Sequence, residues 1–344
     1  MIVGLCGYGY TGSGAVLDIL KEYDLLNIVE NFELELIYKP DGIETLEYFL
    51  MKSPSRFFGS DTAIRRFLNF AERMKLYYDP VNKGKEFMRI TNEYVERLIQ
   101  VRWKGTCSFH SVECGKFTYH FKYGFIANWG RRAKKYLKIK NGEKVTDIEM
   151  YLSIRPEQFY EETKNYLRKL LELNPKYQSG MTTVLDQPFS ADNPYKSFIF
   201  FDDPYAILVE KDPRDMYLLA KMELGHRCSF IPTDSVDDFI HYYRQIMQYR
   251  DDCRQNVDNV LYLNFESLVY DEELSRKKIE DFLGIKDKNG KQFFFAEKSI
   301  NNTQLFLKYP EMKEDIQKIE TELSKWLFDF SKYDRKPVFD IRSF

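Results

Sequence analysis

Residues 1–20 read MIVGLCGYGYTGSGAVLDIL, and this stretch decides the fold. Ile2 to Cys6 is a short apolar run of the kind that forms a buried strand. Four closely spaced glycines follow, Gly7, Gly9, Gly12 and Gly14, which let the backbone turn sharply. An amphipathic helix is predicted from about Ser13 to Tyr23. A strand, a glycine turn and a helix in this order aim backbone amides and a helix N-terminus at one point, which suits an anion. Two phosphate loops share these physics. Gly7-Tyr8-Gly9-Tyr10-Thr11-Gly12 fits the glycine fingerprint of a dinucleotide-binding enzyme, whereas Gly9 to Gly14 fits a phosphate-cradling loop of another kind. A tight turn with no ligand is the plain alternative. The stretch alone leaves all three open.

The bulk numbers narrow the class. At 344 residues the chain has room for two domains or for one α/β domain with a large insertion, and 44% hydrophobic residues supply a substantial core. Fifty-one basic against 53 acidic residues leave a net charge of −2, so nucleic acid is not expected as a partner and any anion site is local. No apolar run reaches the length of a membrane span. Five cysteines without a CxxC pair read as reduced thiols, hence a cytoplasmic protein. Cys107, His110, Cys114 and His120 crowd together, but their spacing fits no common zinc pattern, and no metal is expected.

Beyond the first helix, Leu26 to Tyr38 reads as a second strand-like run. Apolar residues at helical spacing occupy Ile43 to Met51, Asp61 to Lys75, Lys83 to Val101 and Pro156 to Leu173. Residues 108–150 are mixed, with short strands expected. Strands are predicted again at Met181 to Asp186, Ala206 to Val209 and Val260 to Leu263. Helices are predicted at Asn193 to Phe201, Ser235 to Arg250, Glu272 to Leu283 and Lys313 to Phe330. Short apolar strands alternating with helices imply an α/β fold, a parallel sheet covered by helices on both faces. The strands cluster in residues 1–40 and 180–265, so residues 43–180 read as a mostly helical insertion placed over the carboxyl ends of the strands.

Two later stretches separate the phosphate readings: VEKDPRDMYLL, residues 209–219, and YLNFESLVYDEELSRKKIEDFLGI, residues 262–285. On these the chain resembles the sulfotransferase family, enzymes of P-loop-like fold that use 3′-phosphoadenosine 5′-phosphosulfate (PAPS). In that family a first strand, loop and helix bind the 5′-phosphosulfate. A later strand ending in a charged-Pro-charged turn binds the 3′-phosphate, and Val209 to Asp215 looks like that turn. Tyr262 to Val269 is similar to the family's strand followed by YEDL, and Ile279 to Ile285 to its I..FLG helix end. The resemblance covers residues 1–35 and 182–285. The loop reads like the GYTGS of bacterial sulfotransferase-like proteins of surface-glycan pathways. The family's usual loop lysine and Ser/Thr are here Tyr10 and Thr11, followed by Gly12 and Ser13. Its usual arginine at the second strand end is Lys211, and its usual serine is Leu219. Absence of Gly-Lys-Ser/Thr after the glycines excludes a Walker-A ATPase.

The resemblance implies one sulfotransferase-like domain over residues 1–344, with residues 43–180 as a substrate-side cap. It implies PAPS as donor and a carbohydrate or small-molecule hydroxyl as acceptor. Gly9, Tyr10, Thr11, Gly12, Ser13 and Gly14 would hold the phosphosulfate, and Lys211 with Arg214 the 3′-phosphate; an ion pair is the alternative for Arg214. Two carboxylates compete as general base. Asp186 stands at a strand end where cytosolic sulfotransferases carry KTHLP, in place of their histidine, and Glu33 stands near a glutamate of the heparan-type enzymes. The runner-up readings are a Rossmann-type NAD or nucleotide-sugar enzyme, with Glu30 on the ribose, and a non-catalytic nucleotide- or glycan-binding protein. The basic run Arg131, Arg132, Lys134, Lys135, Lys138 and Lys140, with Trp103, Tyr119, Tyr123 and Trp129 nearby, reads either as an acidic-glycan surface or as a solvated helix face.

Overall fold

The computed structural model describes residues 1–30, 32–55, 59–105, 116–126, 128, 129, 132, 136, 148–225, 228 and 230–339. The chain divides into two compact units, Met1–Leu34 with Lys176–Phe344, and Glu35–Pro175. Its strands are β1 (Ile2–Gly7), β2 (Leu26–Val29), β3 (Val101–Gly105), β4 (Ile148–Leu152), β5 (Thr182–Asp186), β6 (Pro204–Glu210) and β7 (Val260–Asn264).

The first unit is built on one five-stranded sheet in the order β2-β5-β1-β6-β7, every pair parallel. Central β1 is buried on both faces, which is why its sequence is continuously apolar rather than alternating. One face carries Val3, Leu5, Val184, Ile207 and Val209, packed under Val16, Ile19 and Leu20 of the helix Ser13–Leu20 and under Leu268 and Ile279. Each such fully buried aliphatic side chain contributes about 1.5–3 kcal/mol. The fold class is therefore α/β, a parallel sheet flanked by helices, as the strand and helix alternation predicts.

Strand order decides what the alternation could not. In the dinucleotide fold the order 3-2-1-4-5-6 sets the second strand beside the first. Here the neighbours of β1 are β5 and β6, and β2 sits at the sheet edge against β5. The glycine loop thus does not belong to a Rossmann sheet, and the NAD reading loses its structural basis.

Several boundaries differ from expectation. The second strand stops at Val29 instead of running to Tyr38, because Glu30, Glu33 and Glu35 interrupt the apolar pattern at a sheet edge. The first helix stops at Leu20, and residues 21 and 22 turn into an isolated bridge at Tyr23. The last long helix is Lys313–Glu322, followed by two short 3-10 turns.

The second unit packs the helices Gly59–Tyr78, Lys85–Leu98 and Phe159–Glu172 around an aromatic core, in which Tyr94 and Tyr166 stack with centroids 4.5 Å apart. Their hydroxyls are each satisfied by a buried threonine, Thr163 and Thr91, at 2.8 Å. Strands β3 and β4 form an antiparallel pair. Sequence reasoning takes Val101 as the end of a helix; Ile99 instead turns to extended backbone and β3 follows, largely exposed. Cys107, His110 and Cys114 lie outside the described residues, as do Arg131, Lys134, Lys135, Lys138 and Lys140.

Candidate functional site

Because all five strands of the sheet run the same way, their carboxyl ends share one edge, where open α/β sheets bind ligands. Read across that edge, the chain delivers Glu33 after β2, Asp186 at the end of β5, the glycine loop after β1, Lys211 after β6 and Glu266 after β7. Neighbouring strands are about 4.8 Å apart, so consecutive strand ends along this edge are one strand spacing apart.

The glycine loop is rigidly made. Gly9, Tyr10 and Gly12 all adopt positive φ, at 82°, 56° and 94°. A Cβ at Gly9 would collide with the ring of Phe230, and one at Gly12 with the ring of Phe265. Thr11 is buried, and its hydroxyl accepts the Tyr8 amide proton at 3.2 Å, so it latches the loop internally instead of facing solvent. Tyr10 stacks on Phe230, with centroids 5.4 Å apart. The Gly7 amide donates to Gln187 Oε1 at 3.3 Å, tying the loop to the end of β5. Gly12 caps the helix Ser13–Leu20 from the left-handed conformation without a side-chain acceptor, and the Ala15 amide turns back onto the Gly12 carbonyl at 3.0 Å, so Ser13 and Gly14 are the first-turn amides placed to meet an anion.

Gly12, Ser13 and Gly14 open onto a cleft of about 650 Å³, within the usual range of about 300–1,000 Å³ for small-molecule sites. A Cβ at Gly14 would meet nothing within 4 Å, so the backbone there is bare toward the cleft. The opposite walls come from Lys211, Leu219, Phe265, and the stretch Phe293 to Phe295 with Lys298. The cleft therefore offers a helix N-terminus, two cations, Lys211 and Lys298, each beside an aromatic ring, and one carboxylate, Asp18, and the helix end, cations and rings suit a phosphorylated ligand.

Lys211 is 4% exposed and reaches the cleft. Its ammonium makes no hydrogen bond or ion pair with any described residue and lies 4.7 Å from the Phe265 ring centroid. Burial pushes its pKa down, while the charges of Asp215, Glu266 and Asp212 pull it back up. Burial likewise raises Asp215 and Glu266. At all three groups burial outweighs their mutual attraction. Glu266 Oε1 accepts the Asp212 amide at 2.9 Å, whereas its buried Oε2 has no partner among the described residues. Asp215 is held by the amides of Gln304 and Leu305.

Arg214 does not reach the cleft. Asp212 caps the helix Pro213–Leu218 and grips the guanidinium through both oxygens, at 2.9 and 2.8 Å. Glu320 and the Phe328 carbonyl take further protons, and the rings of Phe306 and Phe330 lie over the guanidinium carbon. The expected 3′-phosphate contact is thus replaced by a buried ion pair that ties the β6 turn to the C-terminal segment.

Asp186 pairs with Leu5 in the sheet register and is half-buried, and desolvation raises its pKa, opposed by the Gln187 amide. Gln187 follows with φ of 45°. Asp186 and half-buried Glu33 do not line the cleft; they stand on the other side of the glycine loop, toward β5 and β2. Sequence reasoning missed Phe265, Lys298 and the Phe293 to Phe295 run as cleft walls. The triple phenylalanine was the one readable signal, since a partly exposed run of that kind seldom serves packing alone.

No protein-family model and no curated protein sequence matches the chain. Among solved structures it is similar to the sulfotransferase domain from the curacin biosynthetic pathway, at 11% identity over 95% of this chain and 98% of that one, with a TM-score of 0.37. It is also similar to the sulfotransferase domain from the Synechococcus PCC 7002 olefin synthase, at 13% identity over 89% and 82% of the two chains, with a TM-score of 0.34. Among the described residues no helix is long and apolar enough to cross a membrane.

Proposed function

We propose that the chain is a sulfotransferase that takes a sulfuryl group from PAPS to a hydroxyl of a carbohydrate or other small acceptor. The observation that carries this reading is the split of the sheet edge into two sides. Phosphate-binding groups and aromatic walls lie on the β1, β6 and β7 side, and the carboxylates Asp186 and Glu33 lie on the β5 and β2 side. A transfer reaction needs its leaving phosphate and its proton acceptor on opposite sides of the transferred group.

PAPS supplies an electrophilic sulfuryl group and leaves as adenosine 3′,5′-bisphosphate. Amides of Gly12 to Gly14 and the Ser13 hydroxyl hold the leaving phosphate and its developing charge. Lys211 meets the 3′-phosphate as a point charge. Asp186, its pKa raised by burial, takes the acceptor's hydroxyl proton as the new O–S bond forms; Glu33 is the second candidate.

Thermal shift with adenosine 3′,5′-bisphosphate, AMP and NAD tests the reading. Bisphosphate at ~100 times its Kd adds about 2.7 kcal/mol, more than AMP at equal concentration. Lys211→Ala removes most of that advantage, a loss of about 1.5–3 kcal/mol in bisphosphate binding with AMP nearly unchanged. Equal shifts with all three ligands, or a shift with NAD alone, would sink the proposal.

A further inference from the structure

The second unit carries a feature that the nucleotide cleft does not use. Phe117, Phe121, Phe125 and Trp129 recur every fourth residue along Lys116–Thr118, Tyr119–Ile126 and the helical residues 128 and 129. Successive ring centroids are 6.0, 6.1 and 6.5 Å apart, with planes inclined by 5°, 13° and 30°, so the rings form one continuous row. All four point to solvent, at 82%, 51%, 59% and 66% exposure. A face this apolar is normally covered in a soluble protein.

Its charge says what covers it. From Lys116 to Lys140 the sequence carries eight lysines and arginines and no aspartate or glutamate, in a chain whose net charge is −2. Arg132 is exposed just beyond the row, and Tyr136 is 92% exposed. Aromatic rings along one helical face with an excess of basic residues are what an anionic lipid surface binds: the rings enter the acyl boundary and the cations meet the headgroups. A sugar site would be concave and supply polar groups between its rings, whereas these rings follow one another without a break and all four are exposed.

We infer that the row of Phe117, Phe121, Phe125 and Trp129 docks the protein peripherally on an anionic lipid bilayer, with the four rings inserted at the interface and exposed Arg132 beyond them at the headgroups. This inference is independent of the nucleotide cleft.

Co-sedimentation of the full chain with phosphatidylcholine vesicles, with and without phosphatidylglycerol, tests it. Binding is expected only with phosphatidylglycerol, weakening as salt rises, with a blue shift of Trp129 emission on binding that Trp129→Leu removes. Phe121→Ser with Phe125→Ser lowers partitioning by roughly tenfold or more, and the leucine pair at the same positions restores most of it. Both variants keep the wild-type Tm because the side chains are exposed. No binding to phosphatidylglycerol vesicles overturns the inference. So does binding that the serine pair leaves intact; heparin competing for that binding would identify an acidic-glycan surface instead.

Discussion

Lys211 and Gly12 share one neighbour, the ring of Phe265. The ammonium of Lys211 sits 4.7 Å from the ring centroid, and the same ring occupies the space where a side chain at position 12 would go. One aromatic side chain from the helix Phe265–Tyr270 thereby sets the spacing between the glycine loop and the buried cation. A cation over a ring is worth about 0.5–2 kcal/mol, which adds to the attraction of Asp215, Glu266 and Asp212 for a lysine that makes no ion pair with any described residue.

Gly12 and Gly14 should respond oppositely to the same methyl group. Gly12→Ala places a Cβ at φ of 94° against Phe265 and costs about 1–3 kcal/mol of stability, with bisphosphate binding lost. Gly14→Ala meets nothing in the protein and keeps stability, or gains up to about 1 kcal/mol in a helix. Its bisphosphate affinity nevertheless falls, because the methyl fills space over the cleft. Denaturant melts and calorimetric titration of both variants check this; unchanged affinity in Gly14→Ala would move the phosphate off the loop.

Arg214→Met is expected to behave as a stability variant. Removing the guanidinium strands Asp212 in a buried site and costs about 3–5 kcal/mol. Bisphosphate affinity, measured by titration at a temperature where the variant is folded, stays near wild type. A selective loss of bisphosphate affinity without loss of stability would return Arg214 to the phosphate site.

Glu266 should make stability fall with rising pH. Burial pushes its carboxyl up to about 8 in the folded protein, against about 4.3 when unfolded. A raised folded value means that its contribution is complete below the unfolded value and is lost as pH climbs through the folded one. Glu266→Gln keeps an oxygen for the Asp212 amide and cannot ionise, so its Tm declines less than wild type between about pH 5 and pH 9. Parallel Tm curves for the two proteins would rule this out.

Asp186→Asn should retain bisphosphate affinity and Tm while turnover on the true acceptor drops roughly 10²- to 10⁴-fold. In the wild type, rate rises with pH through a midpoint above the ordinary carboxyl range, because burial raises the group that must lose its proton. Glu33→Gln is the matched control, and the larger loss identifies the base. If neither variant slows transfer, the base lies elsewhere.

What the sequence made legible follows from where each element sits. Strands β1, β5, β6 and β7 read clearly because a parallel sheet covered on both faces demands unbroken apolar runs. Strand β3 did not, since Arg102, Trp103 and Lys104 lie exposed and an amphipathic helix runs straight into it. Strand order, which separates this sheet from a dinucleotide fold, is a long-range property that no local pattern encodes. At the site, the glycine loop and Lys211 were visible as types in order. Arg214 stood open between a phosphate contact and an ion pair, because an arginine beside a turn looks the same whether it meets a phosphate or a carboxylate. Its nearest partner, Asp212, stands two residues before it, and two others, Glu320 and Phe328, lie more than a hundred residues further along the chain.

The Thr11 latch bears on how fast and how tightly a ligand is captured. With its hydroxyl on the Tyr8 amide, and with Phe230 and Phe265 filling the space beside Gly9 and Gly12, the loop's shape is held by contacts within the protein itself. A preformed amide cradle pays little ordering entropy on association and no tax for populating a rare competent state. Thr11→Val, which keeps the bulk and removes the latch, should therefore slow capture while leaving the cleft's chemistry in place.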